Sequence, residues 1–364
     1  MTIESTDYVA SFRSGIIENR HQVHAAVTDS AGKVLFSIGD PHRLTLIRSA
    51  AKPAQALAIL ESGCFEKFPE LSDADLALMC ASHNSEERHV ERARNMLRIV
   101  EASEKDLKCG GHASISESVN REWIRKDFVP TAVWNNCSGK HAGMLGGCRA
   151  LGAEVQGYHL PEHPVQVKVR KVVEELSGLG DDADLLKWGV DGCNLPAPAM
   201  PLQCLSKMYA VVGAAADTVE ESESLSFPVP LSTRTQALSR IFHAMSQYPE
   251  FVGGEGRFCT DIMQGFQGAV IGKVGADGCY SVGIRASEQT RMLGAAGAIG
   301  IAVKIEDGNL GVLYSVVAEI IDRLKIGSPE MRGKLEAFHH PEIKNTAGVV
   351  TGGYSHLFDL RRVD

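Results

Sequence analysis

Apolar runs at the two ends of the chain have the spacing of β-strands. Near the N-terminus, Tyr8–Phe12, His21–Thr28 and Lys33–Ile38 alternate or run apolar, and the polar segment "DSAGK" separates the last two. Towards the C-terminus, "GAVIGKV" and "YSVGIR" are joined by "GADG". Short connections rich in glycine and aspartate are typical of hairpins. The pattern therefore predicts antiparallel strands at both ends of the chain.

Between about residues 70 and 250 the apolar spacing is mostly that of helices. In "SEERHVERARNMLRIV" one helical face carries the apolar residues Val90, Ala93, Leu97 and Val100. Further helices are predicted from about Ser49 to Glu61, followed by Gly63, and over Leu310–Leu324, followed by Gly327. Glycine is expected at these positions because it commonly ends a helix.

Strands at both ends and helices between them predict an α/β protein whose sheet is built from both termini. We place a sheet-containing domain at residues 1–68 together with 255–364. A mostly helical domain is expected to be inserted at 69–254, with the active site between the two.

Composition excludes several classes of protein. The chain has 364 residues, of which 44% are hydrophobic and 23% charged, as in ordinary soluble globular proteins. Its net charge of −8, without a basic block, argues against a nucleic-acid partner. The N-terminal segment lacks the features of a signal peptide, and the longest apolar run, Met292–Val303, is too short to span a bilayer. We therefore expect a cytoplasmic protein without a membrane partner, whose nine cysteines are free thiols.

A serine and a lysine open the first predicted helix in "RSAAKP". Ser49 and Lys52 are three residues apart, a spacing that places both side chains on one helical face. A serine becomes a nucleophile when a neighbouring base takes its proton, and a neutral lysine is such a base. Ser30 and Lys33 have the same spacing but lie in a predicted turn. The alternative for Ser49 is a purely structural role as a helix N-cap.

Two further segments follow this pair in the order of the serine acyltransferase motifs S-x-x-K, S-D-N and K-T-G. They are Ser82–Asn84, "SHN", and Lys273–Gly275, "KVG", where the lysine ends a predicted strand that leads into a hairpin. Ser118–Asn120 and Lys325–Gly327 fit the same patterns, but the latter marks a helix end. The order of the motifs favours serine chemistry without establishing it.

Longer sequence blocks carry a resemblance to a known family. The blocks are "RSAAKPAQALAI", "ALMCASHNSEERHV", "CGGH", "NNCSGKHAGML", "GYHLPEHPVQ", "DGCNLPAPAMPL", "GEGRFCTDIM", "GKVGADG" and "VKIEDGN". Together they resemble the rhizobial-type L-asparaginases, of the asparaginase II family, from about residue 8 to 355. The segment "TGG" at Thr351–Gly353 also occurs in bacterial-type asparaginases, but no "HGTDT" accompanies it. We interpret it as a turn.

The resemblance implies a fold, an assembly and a reaction. The fold would be the αβα sandwich of β-lactamases and penicillin-binding proteins with an inserted, mostly helical domain, and the assembly a homodimer. The reaction would be the hydrolysis of L-asparagine to L-aspartate and ammonia through an acyl-serine intermediate. Two Ser–Lys tandems would perform it, Ser49 with Lys52 and Ser82 with Lys273.

The resemblance also implies one zinc ion per chain. Its ligands would be Cys137, Lys140 and Cys193, with water completing the coordination sphere, while Ser138 and His141 are less favoured. The residues alone would suggest buried free cysteines, although a tetrahedral site with two thiolates is chemically reasonable. Zinc would aid substrate binding rather than generate the nucleophile.

Four residues are expected to contact the substrate or the developing charge. Asp191 and Asn84 would bind its α-amino and carboxylate groups, and Arg48 would order the site. The backbone N–H of Ala276, together with that of Ser49, would form an oxyanion hole. Each of these side chains is equally compatible with a structural role.

Two other functions stay open at this point. A glutaminase would share the serine chemistry, and one methylene of substrate length is worth only about 1–3 kcal/mol. A non-catalytic small-molecule-binding module would keep the fold, although the intact serines and lysines argue against it. A β-lactam hydrolase is disfavoured because no export signal is apparent.

Overall fold

Strands from the two ends of the chain pair in one antiparallel sheet. The computed structural model describes residues 7–182, 184–227 and 230–363. This part of the chain divides into two units. Unit 1 comprises the chain up to Ala50, Met200–Asp217 and the chain from Asp261 onward, and unit 2 comprises Ala51–Ala199 and Thr218–Thr260.

The strands are β1 Tyr8–Arg13, β2 Ile16–Asp29, β3 Val34–Ile38, β4 Leu44–Leu46, β5 Lys187–Val190, β6 Pro196–Pro201, β7 Val270–Gly275, β8 Cys279–Ile284, β9 Ile299–Ile305, β10 Ile343–Lys344, β11 Val350–Leu357 and β12 Arg361–Arg362. In unit 1 the sheet order is β10-β11-β1-β2-β9-β8-β7, and β3 pairs with both β2 and β12. In unit 2, β5 pairs antiparallel with the Pro196–Ala199 part of β6.

The helices are α1 Lys52–Leu60, α2 Cys64–Lys67, α3 Asp73–Met79, α4 Glu87–Ile99, α5 Glu117–Arg125, α6 Ser138–Ala150, α7 Pro164–Ser177, α8 Leu202–Glu223, α9 Thr233–Gln247, α10 Pro249–Val252, α11 Phe258–Gly265, α12 Glu288–Met292, α13 Leu310–Arg323, α14 Pro329–Gly333 and α15 Glu336–His339. Short 3₁₀ turns cover Arg48–Ala51, Glu104–Asp106 and Ala132–Trp134. The mixed α/β class predicted from the sequence is confirmed.

Both predicted hairpins are present. Strands β2 and β3 pair on either side of "DSAGK", with Ala25 opposite Ile38. Strands β7 and β8 pair on either side of "GADG", with Val270 opposite Ile284. The helices predicted after residue 84 and at Leu310–Leu324 are also confirmed, as α4 and α13.

The prediction that Thr351–Gly353 forms a turn is wrong. These residues lie inside β11, where Gly352 pairs with Arg13 and Gly353 with Phe12 of β1. A Cβ atom added at Gly352 would lie 1.7 Å from the carbonyl oxygen of Phe12. Glycine is present here because the neighbouring backbone is too close for a side chain, which is one of the roles of glycine within strands.

Strands β7, β8 and β9, at one end of the sheet order, are covered on both faces, since every residue of the three is buried. Helix α13 packs against β8 and β9. The first turns of α8 approach the same strands where Gly283 pairs with Gly300. A Cβ atom at Gly300 would lie 1.8 Å from the carbonyl oxygen of Ser206 on α8. This glycine pair therefore allows a helix to rest directly on the sheet backbone.

Unit 2 is built mainly of helices around α1. Every residue of α1 is buried, and this helix packs against α6, α7 and α9. Helix α6 also packs against α3 and α4. Helix α1 therefore presents no polar face to solvent, as expected for a helix that is surrounded by other helices. Lys52 is the first residue of α1, so the same surroundings enclose its amine.

Two properties concern the whole chain. All nine cysteines are free and buried, as predicted. Within the described ranges, no helix combines the length and the apolar character needed to cross a lipid bilayer.

Candidate functional site

A buried lysine lies at the centre of the candidate site in unit 2. The Lys52 side chain has no exposed surface. Its Nζ donates hydrogen bonds to Ser82 Oγ at 3.0 Å and to Cys137 Sγ at 3.0 Å. It also donates to the carbonyl oxygen of Ala81. Burial costs free energy unless polar groups are satisfied, and these three acceptors satisfy the amine.

The start of α1 explains how Lys52 reaches this place. The helix begins at Lys52 after the 3₁₀ turn, and Pro53 occupies its first turn. Proline is tolerated there because the N–H it lacks would have no partner within the helix. The predicted helix from Ser49 is thus present, with its α-helical part starting three residues later.

Ser82 lies in an extended segment that follows α3, and backbone hydrogen bonds fix this segment. The N–H groups of Ser82, His83 and Asn84 donate to the carbonyl oxygens of Val252, Asn136 and Gly253, at 3.0, 3.2 and 3.0 Å. The Ser82 side chain is 5% exposed. The hydroxyl is therefore held in one position beside the Lys52 amine.

Cys137 connects Lys52 to two further polar side chains, Lys140 and Cys193. Cys137 precedes α6 and Lys140 lies in its first turn, so that the two side chains are three residues apart. Lys140 Nζ donates to Cys193 Sγ at 3.2 Å. Cys193 in turn donates a hydrogen bond to Cys137. The structure thus brings together the three predicted zinc ligands and joins them to Lys52.

The charges in this group are unequal. The hydrogen bond from Cys193 lowers the pKa of Cys137 well below its usual range, and the Lys52 and Lys140 charges reinforce this against the effect of burial. The pKa of Cys193 is raised, because it donates that bond and is buried. Burial alone would lower the pKa of Lys140, but the charges of Cys193, Cys137 and Asp191 outweigh it and raise the pKa. In this pair Cys193 is the hydrogen-bond donor and Cys137 the acceptor.

Part of this donor set is suited to a zinc ion. Two cysteine sulfurs are ligands that zinc accepts, whereas Lys140 could bind the ion only after it loses the proton that its raised pKa retains. A thiolate is the form of cysteine that binds metal. Of the less favoured ligands, Ser138 Oγ lies 3.0 Å from His83 Nε2, and His141 contacts the Tyr158 hydroxyl through Nδ1, at 2.6 Å, so that its Nε2 takes no part in that contact.

An arginine that sequence reasoning missed approaches Ser82. Arg257 Nη1 donates to Asn84 Oδ1 at 2.9 Å and to the carbonyl oxygen of Ser82 at 3.3 Å. Arg257 lies in the block "GEGRFCTDIM", which carries the resemblance without singling out this residue. Its guanidinium is half-buried and is suited to binding a carboxylate.

Asn84 is held by protein groups on both sides of its amide. Its Nδ2 donates to Glu86 Oε1 and to the carbonyl oxygen of Glu255, both at 3.0 Å. With Arg257 bound to the amide oxygen, Asn84 fixes that guanidinium in place. Direct contact between Asn84 and substrate stays a prediction.

Asp191 lies in a tight loop next to the zinc-ligand group. Its N–H donates to the carbonyl oxygen of Leu195 at 2.8 Å, and its Oδ1 accepts from the N–H of Gly192 at 2.7 Å. The loop places Cys193 on the buried side, and the Asp191 charge contributes to the raised pKa of Lys140. Its predicted contact with the substrate amine is compatible with this half-buried position.

Arg48 and Ser49 lie in unit 1, in the 3₁₀ turn that precedes α1. Arg48 has a φ of 50° and donates from Nη1 to Asp277 Oδ2 at 2.6 Å. Ser49 is partly exposed. The carbonyl oxygen of the next residue, Ala50, accepts from the Tyr209 hydroxyl at 2.8 Å. The turn is therefore anchored on both sides of the serine.

Lys273 and Ala276 are the other two predicted site residues of unit 1. Lys273 lies in β7, near its end, and Ala276 directly follows this strand. Lys273 is fully buried, and its Nζ donates to the carbonyl oxygen of Val274 at 2.7 Å. Ala276 is exposed in the β7–β8 turn, next to Asp277 with a φ of 58°. Lys304 Nζ donates to the carbonyl oxygen of Asp277 at 2.6 Å and fixes this turn.

Strained backbone accompanies the predicted site residues. The described part of the chain contains nine non-glycine residues with positive φ. Four of the nine are a predicted site residue or directly follow one: Arg48, Ser85, Asn194 and Asp277. Such conformations cost about 1 kcal/mol or more and occur preferentially at functional sites. Positive φ therefore accompanies predicted site residues in unit 1, at Arg48 and Asp277, and in unit 2, at Ser85 and Asn194.

The predicted tandems pair Ser49 with Lys52 and Ser82 with Lys273. The hydrogen bond described above joins Lys52 to Ser82, which is the serine of the other tandem. Sequence spacing gave no sign of this contact, because the two residues are 30 positions apart.

A comparison of the sequence with models of protein families identifies the family of this chain. The model of the family described as L-asparaginase II matches residues 9–356. The chain belongs to the L-asparaginase II family. It is therefore an amidohydrolase of the asparaginase type that acts on a small-molecule substrate, and the predicted resemblance is confirmed. A comparison with curated individual proteins finds no match.

Proposed function

We propose that this member of the family hydrolyses the side-chain amide of L-asparagine through an acyl-serine intermediate. Ser49 would be the nucleophile and Lys52 its base, with Ser82 and Lys273 as the second pair. The observation that carries the proposal is the fully buried Lys52 amine at 3.0 Å from the Ser82 hydroxyl, in a chain of this family. An amine and a hydroxyl at this distance are in position to exchange a proton.

The reaction would proceed in two halves. Ser49 Oγ attacks the carbonyl carbon of the side-chain amide and its proton passes to Lys52. The oxyanion accepts hydrogen bonds from the N–H groups of Ser49 and Ala276. The intermediate collapses to an ester on Ser49, and the leaving nitrogen takes a proton through Ser82 and departs as ammonia. Water then hydrolyses the ester to aspartate and restores the serine.

Substrate binding would involve three charged groups. Asp191 would bind the α-amino group, and Arg48 and Arg257 are the arginines placed near predicted site residues. The Arg257 guanidinium, held by Asn84, is suited to the α-carboxylate. Cys137, Lys140 and Cys193 would hold a zinc ion, which when bound would offer a Lewis-acidic contact to the substrate.

The finer description of the fold is also a proposal. We propose the β-lactamase-like αβα sandwich, a homodimer and a cytoplasmic location. The antiparallel sheet built from both ends of the chain and the helix α13 packed on it support the sandwich. The homodimer is what the family resemblance implies.

The test is ammonia release by purified protein with L-asparagine and with L-glutamine as substrates. Ser49→Ala should lower kcat/KM for asparagine at least about a thousandfold because the nucleophile is lost. Ser30→Ala removes the serine of the decoy pair and should leave the rate unchanged. Higher kcat/KM for glutamine than for asparagine would make the protein a glutaminase.

The identity of the nucleophile needs a direct measurement, since Lys52 contacts Ser82. Rapid acid quenching during turnover, followed by mass spectrometry of peptides, should find an added aspartyl group on Ser49. An aspartyl group on Ser82 would transfer the role of nucleophile to that serine. Full activity in Ser49→Ala, without any acylated peptide in the wild-type protein, would reject the acyl-serine mechanism.

A further inference from the structure

Three histidines and a glutamate converge in unit 1, in a cluster that the proposed function does not use. Glu319 lies on α13, His339 ends α15, His340 follows it, and His356 lies on β11. Each offers one ligand atom, and these four atoms all lie within 4.8 Å of one another. We refer to these four residues as the histidine cluster.

The hydrogen bonds of Ser315 fix the tautomer of His356. Ser315 has one hydroxyl proton, which it donates to the carbonyl oxygen of His339 at 2.6 Å. His356 Nε2 lies 2.7 Å from the same hydroxyl oxygen, so Nε2 must carry the proton and donate it. In the neutral imidazole the other nitrogen, Nδ1, then carries a lone pair.

That lone pair faces another acceptor. His356 Nδ1 lies 3.6 Å from Glu319 Oε2, and the His356 side chain is only 7% exposed. The half-buried Glu319 side chain accepts hydrogen bonds from Arg323 on Oε1 and from His339 on Oε2. A cation close to His356 Nδ1 and Glu319 Oε2 would be bound by both atoms.

The remaining members are arranged around the same point. His339 Nε2 donates to Glu319 Oε2 at 2.6 Å. His340 Nδ1 bonds to Glu336 Oε1 at 3.0 Å, which leaves its Nε2 for another partner. The bonds of His340 to Glu336 and of His356 to Ser315 are of the kind that orients histidines that bind metal through the other ring nitrogen.

We propose that the histidine cluster binds a zinc ion as a structural site. Three imidazoles and one carboxylate are ligand types that zinc binds, and four protein ligands match its tetrahedral preference. A site with four protein ligands has no open position, so it would serve stability rather than chemistry. The ion would join α13, α15 and β11, three separate elements of unit 1.

Two other charged groups face this site. Arg323 Nε donates to Glu319 Oε1 at 2.7 Å, so the carboxylate would bind the ion through Oε2 alone. The Arg323 charge opposes the ion, whereas the Glu336 carboxylate next to His340 favours it. Zinc binding would also displace the hydrogen bond between His339 and Glu319, because one nitrogen cannot donate a proton and bind metal together.

The test is a zinc titration of the full chain after dialysis against a chelator, with bound metal measured by elemental analysis. Wild-type protein should bind one equivalent more than His340→Gln or His356→Gln. His340 is exposed, so its variant is expected to fold even if His356→Gln is not. His42→Gln, which removes another exposed histidine of unit 1, should bind as much zinc as the wild type.

Two further arms complete the experiment. Zinc should raise the melting temperature of the wild type and of Cys137→Ser, but raise it less in His340→Gln, because the ion stabilises the folded state that binds it. Retention of one zinc in Cys137→Ser separates this site from the zinc site of the proposed function. Equal zinc binding by wild type and His340→Gln would reject the site, as would an equal loss in His42→Gln.

Discussion

At the scale of single residues, Cys137 links the contacts of Lys52 to the predicted zinc ligands of unit 2. It accepts hydrogen bonds from Lys52 and Cys193, and the bond from Cys193 lowers its pKa. The bond from Lys52 helps to orient that amine, whose other partners are the Ser82 hydroxyl and a backbone carbonyl. A metal ion bound by Cys137 would compete with Lys52 for this sulfur, so the proposed metal and the proposed base are coupled.

Cys137→Ala and Cys193→Ala should each lose the zinc that we propose for these cysteines. If this metal serves binding, KM for asparagine should rise more than kcat falls. Elemental analysis and steady-state kinetics measure the two effects. Cys204→Ala removes a buried cysteine of α8 and should keep metal and activity. Unchanged zinc content in both ligand variants would show that the ion, if present, is bound elsewhere.

Individual residues were predictable from sequence where they belong to a motif. The motifs single out Lys52 and Ser82, the family resemblance adds Cys137 and Cys193, and the structure brings these four together. Arg257 was missed because no local pattern distinguishes an arginine that binds a backbone carbonyl from one in solvent. The contact between Lys52 and Ser82 was missed because it depends on how α1 and the segment after α3 pack.

At the scale of secondary structure, the Gly283–Gly300 pair determines how closely α8 approaches the sheet. The distance of 1.8 Å from an added Cβ at Gly300 to the Ser206 carbonyl oxygen is far below van der Waals contact. The obstacle is backbone, which a change of side-chain rotamer does not move. The helix would have to shift as a unit.

Gly300→Ala should therefore destabilise the protein by about 3 kcal/mol, near the upper end of the range for overpacked cores. Urea or thermal unfolding measures the change. Gly297→Ala is the matched control, because its Cβ would have its nearest contact, with Ala286, at 3.8 Å. Equal stability of the two variants would mean that α8 yields without cost.

Elements that depend on local sequence were predicted well, and those that depend on distant partners were not. The two hairpins and helices α4 and α13 follow from apolar spacing and turn residues. The "TGG" segment was misread because consecutive glycines favour a turn locally. In the fold the proximity of β1, more than 300 residues earlier in the chain, determines its conformation.

At the scale of the whole molecule, Asp7 joins the beginning of the described chain to its end. The carboxylate accepts hydrogen bonds from both terminal nitrogens of Arg361 on β12, at 2.8 and 2.9 Å, and from the N–H of Gly39 at 3.1 Å. Burial raises the pKa of Asp7, but the bonds from Arg361, Asp359 and Gly39 outweigh it and lower the pKa. This contact is nonlocal, and no sequence pattern indicated it.

Asp7→Asn should lower stability at neutral pH by about 1–3 kcal/mol, because charge-assisted hydrogen bonds are lost. Since folding lowers the pKa of Asp7, its contribution is full above the unfolded value of about 4 and decreases as pH falls below it. The variant should thus differ from wild type at pH 7 and converge with it in acid, as followed by unfolding at several pH values. Asp359→Asn removes an exposed carboxylate of the same region and should change little. A pH-independent difference would assign the loss to packing.

Because all nine thiols are buried, their chemical labelling shows when parts of the fold open. A buried thiol reacts with a chromogenic disulfide reagent only after the surrounding structure opens locally or globally. Native protein should therefore show no rapid labelling, whereas denatured protein should react at nine positions. Peptide mapping at early times would order the openings, and Cys137, with its lowered pKa, should react fastest once uncovered. Rapid stoichiometric labelling of native protein would contradict the burial described here. The rate at which each cysteine is labelled therefore measures how fast its part of the fold opens, without any added probe.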